Sequence, residues 1–350
     1  MCLITITIIL TTIPVGRGAV GESTRKEEPP SATKTSFMMG TLVSIKAYGP
    51  NAQNAVDAAF ARIRDIESEV SASLPDSEIS ELNLSAGKAP VRISRDTEIL
   101  LREALRFARA SGGKFDPTIG PLVKLWQIGT DKAHIPPAAE IEAAMHLVRY
   151  QDLIVNEKDG TAFLRRPGMA VDLGAIAKGY AGDEVIRILK DAGIRSGYVD
   201  LGGNVVVLGS KPDGTPWRVG VQDPRGERGD YVLAIPVVDK SVVTSGDYER
   251  YFEKDGVRYH HILDPFTGWP SRSGLISATI ISDRSIDGDA LSTTVFLLGP
   301  DKGMKLIEEL PGIDGVLITT DKKILVSRGI QDKVEWPHGS SKYRYEKAAQ

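Results

Sequence analysis

Apolar residues recur along this chain in two rhythms. Ala52, Val56, Ala59, Ile63, Ile66 and Val70 are spaced three and four apart, so they fall on one stripe of a helix over residues 51–70. The same period predicts helices over 95–111, 137–147, 176–192, 288–298 and 301–310. Between 197 and 282 the rhythm changes to short apolar runs broken by Gly, Pro and Asp, the pattern of successive strands and turns. MGTLVSIKAYG, residues 39–49, reads as a further strand. Strands in succession with helices around them predict an α+β fold, with mixed or antiparallel sheets flanked by helices rather than an alternating doubly wound sheet.

The two ends depart from these rhythms. Residues 2–15, CLITITIILTTIPV, form an apolar run too short to span a bilayer, followed by small residues around Ala19 and the polar stretch GESTRKEEPPSATK. This order predicts a signal-like segment and polar linker over 1–33, a main domain over 34–330, and export to the periplasm, close to the inner membrane. The signal is atypical, because no Lys or Arg precedes the apolar run. Cys2 also precedes that run, whereas a lipoprotein cysteine follows it. The charged residues 331–350 read as a mobile C-terminal extension.

Composition narrows the classes. With 350 residues, 41% of them hydrophobic, the chain can bury a large core as one domain or two lobes. A formal charge of -3, without a basic run interleaved with aromatics, argues against nucleic-acid binding. Cys2 is the single cysteine, which excludes an intramolecular disulfide and any CxxC site.

Three segments carry candidate chemistry. In DGDALSTTVF, 287–296, Asp289 and Thr293 are four apart, so in a helix starting at 288 both oxygens share one face of the first turn. Hard oxygen donors there suit Mg²⁺, although Asp and Ser also simply start helices. On the metal reading Asp289 faces the surface and contributes little to the core. In VDLGAIAKGYAGDEV, 171–185, a short strand ends at Asp172 and Lys178 falls in the first helical turn. A lysine there opposes the helix dipole, which an anionic ligand would offset; a solvated surface lysine is the alternative. No GxxxxGK[ST] or GxGxxG pattern is present. In HHILDPFTG, 260–268, two adjacent histidines in an extended strand point opposite ways, so one of them can face a site as general base while the other is structural.

Taken in order, MGTLVSIKAYG, LPDSEISELN (74–83), GGKFDPTIGPLVKLW (112–126), the Asp172 segment, SGDYERYF (245–252), HHILDPFTG and DALSTT resemble the motif series of the ApbE family, the FAD:protein FMN transferases. The resemblance runs from about residue 37 to about 330. It implies Mg²⁺-dependent cleavage of FAD, with FMN passed to a threonine hydroxyl of an acceptor protein, a membrane-bound redox subunit, and with AMP released. It also implies roles by position: Asp289, Thr293, the Ala175 carbonyl and Ser292 as metal donors. Met39, Ser73, Lys114, Phe115, Asp116, Asp172, Lys178 and Ile262 would contact FAD. His261 would activate the acceptor threonine, and Asp264 would orient its ring. The chain departs from the family pattern at Ser73, where an aromatic, usually tyrosine, packs on the dinucleotide. A loosely held dinucleotide admits water, so the alternative is an FAD diphosphatase or flavin-binding protein that yields free FMN and AMP.

Overall fold

The computed structural model describes residues 29–227, 229–337 and 342–347. Strands β1 (Ser31–Met38) and β2 (Thr41–Tyr48) form an antiparallel hairpin across Met39 and Gly40, both at positive φ. Helix α1 (Ala52–Val70) buries the stripe expected of it. Then come α2 (Glu78–Leu84), β3 (Val91–Arg92) and α3 (Arg95–Ala110); Ser77 and Ser94 cap the two helices through their hydroxyls. Helices α4 (Gly120–Trp126) and α5 (Ala138–Met145) precede the hairpin of β4 (Leu153–Asn156) and β5 (Thr161–Leu164).

Helix α6 (Ala177–Asp191) opens the second half, followed by β6 (Ser196–Leu201), β7 (Asn204–Leu208), β8 (Trp217–Gln222), β9 (Tyr231–Val237) and β10 (Ser241–Gly246). Next are β11 (Tyr251–Lys254), β12 (Val257–His260), β13 (Leu275–Ser282), α7 (Ser285–Leu298) and α8 (Pro300–Glu309). Strands β14 (Asp314–Thr319), β15 (Lys323–Val326) and β16 (Arg344–Lys347) complete the order.

Nine strands make one mixed sheet in the order β1-β2-β6-β7-β10-β13-β14-β15-β16, antiparallel throughout except for the final parallel pair. The fold is therefore α+β, as the sequence predicts. On one face α1, α6 and α7 bury Phe60, Ile63, Leu189 and Phe296 against Val43, Val199 and Ile280. The β8–β9 hairpin covers the other face, setting Trp217, Val219 and Leu233 against Val205, Ile281 and Val316. Because both faces are covered, β7 and β13 are buried at every position, and β7 reads as an unbroken apolar run from Val205 to Leu208. A satellite core of Leu122, Trp126, Ile141 and Leu263 anchors the segment after β12, where the Trp126 indole N–H donates to the Gly268 carbonyl at 2.9 Å.

The six predicted helices are present to within a few residues, and the differences have physical causes. Helix α7 begins at Ser285 rather than 288, because Asp183 on α6 accepts the Ser285 and Ile286 N–H groups at 2.6 and 3.0 Å. A long-range carboxylate thus replaces a local cap. The predicted strand ending at Asp172 is only an isolated bridge, Ala170 with Ile119. Strand β1 starts inside the expected linker, at Ser31. The apolar run and Cys2 lie outside the described residues.

The mobile extension expected after residue 330 is also corrected. Val334 and Tyr343 are buried in the second core, Glu335 bridges Ala234, and the Tyr343 hydroxyl donates to Asp223 at 2.7 Å. Strand β16 then closes the edge of the main sheet. A chain ending at residue 330 should therefore melt several degrees below the full chain, since each kcal/mol lost shifts Tm by roughly 1–2 °C at this size and the buried Val334, Tyr343 and the β16 pairing are all removed. Calorimetry checks this, and equal midpoints would restore the mobile extension.

Candidate active site

The site is built where α6 and α7 start side by side. Gly179, the third residue of α6, has no carbonyl one turn back within the helix to receive its N–H; it donates instead to Asp289 Oδ2 at 2.7 Å. The helices approach this closely only because position 179 lacks a Cβ. A methyl there would lie 2.4 Å from the Ser285 carbonyl oxygen and 2.7 Å from Asp289 Cβ. Asp289 sits in the second turn of α7 and is 4% exposed, so the surface-facing placement in the first turn is corrected. Burial raises its pKa, opposed by Lys178, the Asn204 side chain and the Gly179 N–H.

Three hydroxyls cluster beside the next turn of α7. Ser245, at the end of β10, lies 2.8 Å from the Ser292 hydroxyl and 3.2 Å from that of Thr293. Ser292 also donates to the Asp289 carbonyl at 2.9 Å, so it is tied into the helix more than Thr293 is. No hydrogen bond among the described residues uses the Ala175 carbonyl, one turn before Gly179. Among the described residues no three His, Cys, Asp or Glu converge. One buried carboxylate with hydroxyl and carbonyl oxygens is a hard donor set, and it fits Mg²⁺, which takes few protein ligands.

Charge links this cluster to two further segments. The Lys178 ammonium acts on both the Asp289 carboxylate and the His261 ring, while no ion pair holds Lys178 among the described residues. Asp172 accepts the Gly174 N–H at 2.8 Å; burial raises its pKa, opposed by that N–H and by the Arg250 guanidinium.

The two histidines separate cleanly. His260 is buried edge-on against Phe296, with Nε2 2.9 Å from the Ser271 carbonyl and Nδ1 accepting the Ile262 N–H, so both nitrogens are structural. His261 is partly buried, and its Nδ1 lies 3.2 Å from the Arg250 carbonyl. A carbonyl only accepts, so Nδ1 carries the proton and Nε2 keeps a lone pair. Desolvation, then the Arg250 guanidinium, holds the ring well below the usual histidine pKa.

Other expected contacts fall elsewhere. Asp264 does not orient His261: one oxygen pairs with the Lys114 ammonium at 2.7 Å and the other accepts the Phe266 N–H. Phe115 and Ile262 bury their side chains in the main core. Asp116 uses both oxygens on Thr118 and the Tyr150 N–H to shape its own turn. Met39 occupies the left-handed turn between β1 and β2 and donates its N–H to Glu67 at 2.7 Å. Ser73 is exposed and bonds to the Ser71 hydroxyl. Ser245, Asn204 and Arg250 were missed as site residues. Ser245 and Arg250 lie within SGDYERYF, where only the order of motifs marks them, and Asn204 lies in LGGN, at the turn between β6 and β7.

The sequence model of the ApbE family matches residues 39–317, a span that includes every segment of this site. The chain belongs to the ApbE family. It is thereby an enzyme of the transferase class, as its sequence relatives indicate. It is 39% identical over 343 residues to the FAD:protein FMN transferase of Treponema pallidum, covering 93% of this chain and 94% of that protein. Among solved structures, the ApbE protein of Thermotoga maritima shares 33% identity at a TM-score of 0.80, covering 87% of this chain and 99% of that one. The flavin transferase ApbE from Vibrio cholerae shares 29% at 0.77, with the same coverage.

The buried position of Asp289 changes how this site is tested. Asp289→Ala leaves the Gly179 N–H without its partner and should cost about 1–3 kcal/mol of stability. Asp289→Asn keeps an acceptor and should stay nearer wild-type stability while losing Mg²⁺-dependent activity. Denaturant midpoints and metal-dependent turnover, measured together, check both; full activity in Asp289→Asn would remove this carboxylate from the metal site.

Proposed function

We propose that this ApbE-family chain carries out Mg²⁺-dependent transfer of FMN from FAD to a threonine hydroxyl of an acceptor protein, releasing AMP. The observation that carries the reading is the His261 tautomer: Nδ1–H is fixed on the Arg250 carbonyl, and Nε2 is free in a cluster that holds Lys178 and the Asp289 oxygen donors. The likeness to proteins named FAD:protein FMN transferase supports it over most of the chain.

In this reading His261 Nε2 takes the proton of the acceptor hydroxyl. The oxygen bonds to the FMN phosphorus, the bridging P–O bond breaks, and AMP departs with the bridging oxygen. Phosphoryl transfer of this kind depends on positioning and on charge, which Lys178 supplies beside the diphosphate. Asp289, Thr293 and the Ala175 carbonyl would hold magnesium, which would supply positive charge to offset that of the diphosphate. The acceptor is a membrane-bound redox subunit met after export, in keeping with the apolar run at 2–15.

Hydrolysis of FAD to free FMN and AMP is the competing outcome, and exposed Ser73 favours it by offering no ring to the dinucleotide. Phe115 cannot substitute, being buried in the core. Aromatic contacts of this kind contribute about 0.5–1.5 kcal/mol, so Ser73→Tyr should tighten FAD binding by a few-fold to tenfold and suppress free FMN. Equal affinity and FMN release in the two proteins would remove Ser73 from the site.

The purified chain, incubated with FAD, Mg²⁺ and a threonine-bearing acceptor, should add one FMN to the acceptor and release AMP, read by mass spectrometry. Free FMN without labelled acceptor would favour the diphosphatase. His261→Asn should slow transfer by about 10² to 10⁴ with FAD still bound. Lys178→Ala should weaken FAD binding. A silent His261→Asn variant would show the base to be misassigned.

A further inference from the structure

Arg250 is exposed and lies between β10 and β11, outside any regular element. Its carbonyl accepts twice from one residue, the His261 N–H at 3.0 Å and the His261 Nδ1–H at 3.2 Å. Its guanidinium donates to the Gly40 carbonyl at 3.0 Å, in the turn between β1 and β2. The side chain reaches that carbonyl through a narrow slot. A Cβ on Gly40 would lie 3.0 Å from Nη2, and one on Gly129 would lie 3.0 Å from Cδ; both glycines are at positive φ. No carboxylate forms an ion pair with Arg250 among the described residues.

We propose that Arg250 is a positioning residue for the His261 base: its carbonyl sets the ring, while its guanidinium, seated between Gly40 and Gly129, fixes that carbonyl and keeps a positive charge beside the imidazole. This rests on the reading of His261 as the base. The backbone contact alone would be open to any residue, whereas the slot and the Gly40 bond require a long side chain with a donor. The charged and titratable groups facing the ring are Arg250, His260 and Lys178, and all three disfavour the imidazolium. Arg250 is the largest of these three influences. A base kept neutral in this way remains competent below the ordinary histidine range, so the acidic limb of transfer should lie below pH 6.5. The same arginine ties the base to the Met39–Gly40 turn, so substrate contacts at that turn and the orientation of the base are mechanically linked.

The test uses Arg250→Met and Arg250→Lys in the full chain, with two readouts. NMR titration of the His261 ring protons needs no turnover, and the pH dependence of kcat for transfer reads the working base. In Arg250→Met the His261 titration should move up by about one unit or more toward 6.5, and the acidic limb of kcat should move up with it, with FAD affinity changed less than about threefold. Arg250→Lys, which keeps the charge, should hold the titration near the wild-type position. If Arg250→Met does not fold, Arg250→Gln removes the charge while retaining a donor and is read in the same way. An unchanged titration and pH profile in the neutral variants would overturn the proposal. Lost FAD affinity with an unchanged pH profile would overturn it too, making Arg250 a substrate-binding group. Failure of wild type to transfer FMN would instead count against the functional reading, while the NMR titration still decides the role of Arg250.

Discussion

The hydrogen bond from the Gly179 N–H to Asp289 organises this molecule around its site. It satisfies a helix-terminal donor that has no partner within α6, and it holds a buried carboxylate that would otherwise lack a backbone donor. It also fixes the separation of α6 and α7 at a distance that any side chain at position 179 would forbid. From that distance follow the placement of Lys178 against Asp289 and the proximity of both to the strand carrying Ser245. The reverse cap by Asp183 on the start of α7 makes the pairing reciprocal, since each helix contributes a carboxylate to N–H groups of the other. Both helices pack on the covered sheet, so the donor set rests on the most deeply buried part of the fold.

Two adjacent histidines in one dipeptide have opposite fates, and the difference lies in what each nitrogen touches. His260 spends both nitrogens on backbone groups and its ring on Phe296. His261 spends one nitrogen on a carbonyl and keeps the other. Side-chain alternation predicts that they diverge, but it does not say which way the site lies. That is decided by Arg250, whose backbone and side chain meet the ring and the β1–β2 turn together.

Much of the fold was legible because its signals are periodic and local. The stripe on α1 reflects burial on one face, and the apolar run of β7 reflects burial on two. What was illegible depends on partners far away in sequence. The start of α7 is set by Asp183, about one hundred residues earlier, and β16 looks like a charged tail until it is seen against β15. The site divides in the same way. Asp289, Lys178, Asp172 and His261 stand out in the sequence because their segments combine small residues with charge. Asp264 was misjudged, since its true partner Lys114 is 150 positions away. Phe115 and Ile262 sit in two of the motif segments but turn their side chains into the core.

The strand order carries a consequence for how this protein can be joined to others. β1 and β16 occupy opposite edges of a nine-stranded sheet, so the first and last described strands stand roughly 38 Å apart along the hydrogen-bonding direction. Many domains bring such strands together, which allows them to be circularly permuted or inserted into a host loop. Here a short peptide could not bridge the two edges without crossing a packed face. Fusion partners attached at the two sides would accordingly project away from each other.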